Sequence, residues 1–215
     1  MSASRPRLVV GISGSSAPQL GYALLRALQR LGTIETHLVI SSGARRTIEL
    51  ELDVDQAAVE DLADVVHEPD DLAASISSGS FRTLGMAVVP CSMGRLSAIA
   101  SGSSDDLLAR AADVTLKERR PLVLATREAP LNLIHIRNME TATLAGATIF
   151  PPVPAFYHRP GTIDALLDHI NGRILDQFGI EHELFTRWVG PYDPKLTPAR
   201  SATNRAPSSS PSTGP

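Results

Sequence analysis

Three groups of residues in this sequence have types and spacings that could do chemistry. Gly11-Ile12-Ser13-Gly14-Ser15-Ser16 closes an apolar run and opens a stretch of helical spacing. Free N–H groups at a helix start, joined by serine hydroxyls, suit the oxygens of a phosphate. No Gly-Lys-Ser/Thr follows and the G-x-G-x-x-G pattern is missing, so this is neither a P-loop nor a dinucleotide fingerprint. A ligand loop and a plain tight turn both stay open. A second apolar run ends in Ser41-Ser42, where a dinucleotide fold would place an acidic residue. That favours a mononucleotide such as FMN. The second group is Arg110 and Lys117, seven residues apart with Asp113 between them. On a helix they share a face, which is either a solvated ion-pair stripe or a cationic patch for an anionic substrate. Lysine is scarce here, with Lys117 and Lys195 against 18 arginines among 20 basic residues. The third group, Arg127-Glu128, closes another apolar run.

Other reactive residue types point to less. Glu51 ends a short helical piece and alone indicates nothing. Cys91 is the one cysteine, so no internal disulfide forms, and it reads as a small buried residue before a nucleophile. The six histidines lack metal-ligand spacing, and no metal site is expected. His135 and His169 are expected at helix surfaces or boundaries, and Phe185 and Trp188 over the last helix or an interface. A Ser-His-Asp nucleophile would need the G-x-S-x-G elbow, which is missing.

The elements that must position these groups alternate in type. Strands are predicted at Arg7–Ile12, Ile34–Ile40, Gly85–Pro90, Leu122–Thr126 and Thr148–Phe150. Between and after them, helical spacing predicts helices at Pro18–Arg30, Ala44–Leu52, Gln56–Val65, Asp105–Arg119, Leu131–Ala145 and Thr162–Phe178. Cys91-Ser92-Met93-Gly94 reads as a turn. Strands alternating with helices imply an α/β fold with a doubly wound parallel sheet in one domain. Its ligand crevice lies beyond the carboxyl ends of the strands, where the serine-rich turns and Arg127-Glu128 fall.

The chain of 215 residues has 43% hydrophobic and 20% charged residues, a globular composition with enough length for one core. Its net charge, 20 − 23 = −3, argues against nucleic-acid binding by bulk electrostatics. No apolar run approaches the ~18 residues of a membrane span. MSASRPR has no signal-peptide core, so a cytoplasmic protein is expected. Residues 1–6 read as a short extension and 7–190 as the domain. The segment 191–215 carries six prolines, with five serines from Ser201 onward, and is expected to be disordered.

Six segments in their order and spacing resemble the UbiX-type flavin prenyltransferases: GISGSSAPQLG (11–21), SISSGSF (75–81), PCSMGRLSAIASG (90–102), LLARAADVTLKERRPLVLATREAPL (107–131), PPVPAFYHRP (151–160) and RILDQFGI (173–180). The likeness runs from about Arg7 to Trp188. It implies a Rossmann-like flavin-binding fold, a homododecamer built of trimers, and flavin sites at subunit interfaces. It also implies metal-independent transfer of dimethylallyl from dimethylallyl monophosphate to reduced FMN. The product, prenylated FMN, would serve a UbiD-type decarboxylase.

By position, the resemblance assigns Gly14, Ser15, Ser16, Ser41, Ser92, Met93, Gly94, Arg95 and Arg127 to FMN. It assigns Arg110, Lys117, Glu128, Tyr157 and Arg173 to the prenyl phosphate, with Ser16, Glu51, Lys117 and Glu128 in catalytic roles. Two features depart from the family pattern: Ala17-Pro18 replaces a final glycine, and Arg95 stands where threonine is common. The rivals are an FMN-dependent decarboxylase, of cysteine or aromatic-acid type, and an FMN carrier or chaperone. Against the cysteine type, Pro90-Cys91-Ser92-Met93 lacks the expected asparagine. Against the carrier, a second anion site has no use.

Overall fold

Alternate residues of the strand Arg7–Ile12 (β1) enter different apolar clusters. Leu8, Val10 and Ile12 join one, and Val9 joins the other. The same division holds along Glu35–Ile40 (β2), Met86–Cys91 (β4) and Leu122–Thr126 (β5), so the sheet is covered on both faces. Parallel strands require this, because their crossover helices lie on the faces. The computed structural model describes residues 4–190. The segment 191–215, where disorder is expected, lies outside the described residues, as do residues 1–3.

The sheet has six parallel strands in the order β3-β2-β1-β4-β5-β6, with β3 at Val65–His67 and β6 at Thr148–Ile149. The sequence predicts five. The one it misses, β3, begins at the last residue of the helix predicted over Gln56–Val65, which stops at Glu60 (α3, Gln56–Glu60). Three edge residues carry too little pattern to be read locally. Pairing with His37–Val39 makes them a strand, and Asp64 fixes their entry by accepting from the Thr36 N–H at 2.8 Å.

On one face, α1 (Gln19–Leu31) buries Leu20, Leu24, Leu25 and Leu28 and packs against α7 (Ile163–Asp176). Gly21 permits this approach: a Cβ there would stand 2.4 Å from the Val89 carbonyl oxygen of β4. Gly32 ends α1 in the left-handed conformation, its N–H bonded to Leu28 O at 3.1 Å. The other face carries α4 (Met93–Ala100), α5 (Leu107–Lys117) and α6 (Leu133–Leu144), through Leu96, Leu107, Leu108 and Ala142. The helix α4 corrects the turn predicted at Cys91–Gly94, whose Cys91 ends β4. Only Ser92 stays outside, and its hydroxyl caps the helix by accepting from Arg95 N at 3.3 Å. Strand order reverses between β1 and β4, which opens a crevice beyond their carboxyl ends. No helix among the described residues is long and apolar enough to cross a membrane.

Candidate functional site

Four loops meet at this crevice, and serine side chains lace them together. Ser13 Oγ donates to Pro90 O at 2.9 Å and accepts from Ser92 N at 2.8 Å, joining the β1 and β4 loops. Ser15 Oγ donates to Arg127 O at 2.9 Å, and Arg127 N donates to Cys91 O at 3.1 Å, which adds the β5 loop. Ser16 Oγ and Ala17 N both donate to the Glu51 carboxylate at 2.9 Å, which adds the end of α2 (Ser42–Glu51). A residue that alone indicated nothing is thereby hydrogen-bonded to the proposed flavin turn. Gly14 lets the β1 loop touch the start of α2, since a Cβ there would lie 2.8 Å from the Gly43 carbonyl carbon.

Between these loops is an open cleft of about 380 Å³, lined in part by Gly14, Ser41, Ser92, Gly94 and Arg95. Ser41 and Ser92 cap α2 and α4, so the free N–H groups of two helix starts stand at the cleft. A Cβ at Gly94 would meet nothing within 4 Å, so the wall there has room for a planar group. Arg127 is exposed, and its guanidinium has no partner among the described residues. Helix-start donors, an available cation and an open wall fit a flavin mononucleotide.

Two assigned residues act differently from the expectation. The Met93 side chain is 8% exposed and packed in the core, so only its backbone can serve the cleft. Arg95, expected to add charge beside the flavin turn, is held bidentately by Asp106, one bond being 2.6 Å. The same carboxylate caps α5 through Ala109 N. Cys91 is buried, and burial pushes its thiol up to about 12, so it remains protonated and unreactive.

The residues assigned to the prenyl phosphate do not gather in one chain. Only Glu128 follows Arg127 at the crevice, its carboxylate accepting from Ala129 N. Arg110 pairs with Asp113 at 2.8 Å and donates to Ser77 O. Lys117 ends α5 and pairs with Glu118 at 2.6 Å. It lies roughly 15 Å along the helix from Leu107, at 1.5 Å per residue, toward the amino ends of the strands. Tyr157 and Arg173 form a third place around α7. The Tyr157 hydroxyl bonds His169 Nε2 at 2.8 Å, and Arg173 pairs with Asp176. No hydrogen bond among the described residues links these groups to the crevice loops.

His169 corrects the expectation of a surface or boundary residue, being only 6% exposed. Phe185 does pack over the last helix, against His169 and on Gly172.

A six-stranded doubly wound sheet with a crevice lined by two helix starts defines the class: the chain belongs to the Flavoprotein family, whose pattern matches residues 2–174. Within it, the relatives are flavin prenyltransferases of the UbiX type. The flavin prenyltransferase UbiX of Escherichia coli K12 is 55% identical over 186 residues, 86% of this chain and 98% of that protein. A crystal structure of AnUbiX (PadA1) in complex with FMN and dimethylallyl pyrophosphate superposes with a TM-score of 0.85 at 54% identity, covering 87% of this chain and 99% of that one. A dodecameric FMN-dependent UbiX-like decarboxylase from E. coli O157:H7 gives 0.83 at 51%, covering 86% and 100%.

Proposed function

We propose that this chain is a flavin prenyltransferase. It moves dimethylallyl from dimethylallyl monophosphate to N5 of reduced FMN, and a second bond to C6 closes the new ring. The observation that carries this reading is identity above one half, along nearly the whole length, to proteins of that activity. The cleft supports it with helix-start donors and an open wall for FMN. There Gly14, Ser41, Ser92, Gly94 and Arg127 would hold the mononucleotide, with Ser15 and Ser16 fixing the turn.

Monophosphate leaves poorly, and its departing charge must be met by donors. Arg110, Lys117 and Arg173 would supply charge-assisted bonds, and Tyr157 a hydroxyl. Glu128, or Glu51 through Ser16, would move a proton near the phosphate. Because Lys117 stands ten residues along α5 from the helix start at its own crevice, and Arg110 is paired with Asp113, we assign both to the crevice of a neighbouring copy. A dodecameric neighbour supports such an assembly, here proposed as trimer-based. So do Leu133, Ile134 and Ile136 of α6, which are more than half exposed in one chain. The product would pass to a UbiD-type decarboxylase in the cytoplasm.

A decarboxylase acting directly is a second reading, favoured by the name of the dodecameric neighbour. One assay separates them. Purified protein with reduced FMN should release inorganic phosphate from dimethylallyl monophosphate, one per flavin. No release in the presence of bound reduced FMN would overturn the proposal.

A further inference from the structure

We propose that His169 is a positioning residue for Tyr157, donating its Nε2–H to the phenol oxygen so that the hydroxyl proton is turned toward a phosphate oxygen of the substrate. This rests on the proposed function, which assigns Tyr157 to the prenyl phosphate.

The bond of 2.8 Å joins a buried imidazole to a phenol that is 38% exposed. His169 itself cannot turn freely. His158 stacks on it at 4.7 Å and 11°, and Phe185 closes in at 4.6 Å. The Tyr157 ring meets it edge-on at 5.4 Å, with Trp188 behind at 5.6 Å. A surface phenol is thus anchored to a clamped ring.

The direction of the hydrogen bond follows from proton counting. Burial, reinforced by His158 and Arg173, holds the His169 ring below its ordinary value of 6.5, so at neutral pH it carries one N–H. Its Nδ1 is buried with no partner. A proton on Nδ1 would be an orphaned buried donor, which is rarer and costlier than an unused lone pair. The proton therefore belongs on Nε2, and Tyr157 Oη accepts it. A phenol that accepts keeps its own O–H for another acceptor, and the Tyr157 hydroxyl has no other partner among the described residues. Arg173 follows His169 by one helical turn and acts on it electrostatically, so α7 carries a guanidinium one turn from the ring that anchors the Tyr157 hydroxyl. That pair suits a phosphate monoester.

The test is a double-mutant cycle of His169→Phe, which fills the ring space without an N–H, and Tyr157→Phe. Single-turnover prenylation and FMN affinity are measured on each assembled protein. His169→Phe should lower turnover about 10- to 100-fold, the worth of a hydrogen bond to a charged group, with FMN affinity unchanged. The loss should vanish in the Tyr157→Phe background, and His169→Gln, whose amide can donate, should recover most of it. Normal turnover in His169→Phe, or an equal loss with and without Tyr157, would overturn the role.

Should His169→Phe not assemble, 15N shifts of His169 in the wild-type protein decide: a proton on Nε2 supports the proposal and one on Nδ1 rejects it. Wild-type protein that never prenylates FMN overturns the function and this role with it. Active wild type with an unimpaired Tyr157→Phe rejects the assignment of Tyr157 alone, and with it the positioning role.

Discussion

Lys117 is the residue on which single-chain geometry and function pull furthest apart. In one chain it is a half-exposed ion pair with Glu118, which by itself contributes little. In the proposed assembly it meets a departing phosphate. Removing one donor from a partly desolvated anion site should cost roughly 2–4 kcal/mol of transition-state stabilisation, or about 30- to 1,000-fold in rate. Lys117→Ala should therefore lose prenyl transfer and keep FMN, measured by single turnover and flavin titration on one preparation. Near-normal turnover would return it to the solvated stripe. Ala17 offers a second residue-scale test. It holds φ at 70° between Ser16 and Pro18, where a Cβ costs roughly 1–2 kcal/mol. Ala17→Gly relieves that strain but frees the unfolded chain by roughly 0.4–1 kcal/mol, leaving a gain of about 0.5–1 kcal/mol. Tm should rise by about 1–4 °C. A fall would show that Pro18 and Glu51 dictate the turn.

Helix α1 shows how an element depends on one small residue. Gly21 faces a backbone carbonyl, which cannot rotate away as a side chain could. Gly21→Ala should cost about 1–3 kcal/mol, toward the upper end, seen as a lower Tm and a lower urea midpoint. An unchanged midpoint would mean that α1 slides freely over β4. Elements with strong periodic patterns, such as β1, α1, α5 and β5, are legible in the sequence to within a few residues. The ones that escape depend on tertiary partners. Strand β3 needs the register of β2, and α4 needs the Ser92 cap that makes a helix of an apparent turn. In the site, the loops were legible because they follow strand ends. Their mutual bonds, such as Ser16 to Glu51 across 35 residues, were not. Neither were the buried His169 nor the Asp106 clamp on Arg95, since local pattern does not report which distant side chain fills a space.

At the scale of the whole molecule, a buried histidine and a half-buried one set the acid limit. Burial, the main cause in both, holds His67 and His169 below their ordinary 6.5. The unfolded chain therefore binds more protons below that value, so stability is complete above about 6.5 and declines as pH falls through the lowered values. Asp176, held down chiefly by its bond from Arg187, and Glu35, held down chiefly by its bond to His37, extend the loss into the range below 4.5. Urea midpoints from pH 8 to 5 should be flat and then fall. A midpoint that rises on acidification would contradict the desolvation of both rings. In the proposed assembly, function at this scale requires copies to meet, because Lys117 stands at the far end of α5 from its own crevice. The central claim is that the assembled protein alkylates flavin. Its most direct measurement is the mass of the flavin extracted after anaerobic incubation with reduced FMN and dimethylallyl monophosphate. The flavin should be heavier than reduced FMN by one C5H8 unit, formed without any partner protein. Unmodified FMN recovered from an assembled, flavin-bound protein would contradict it.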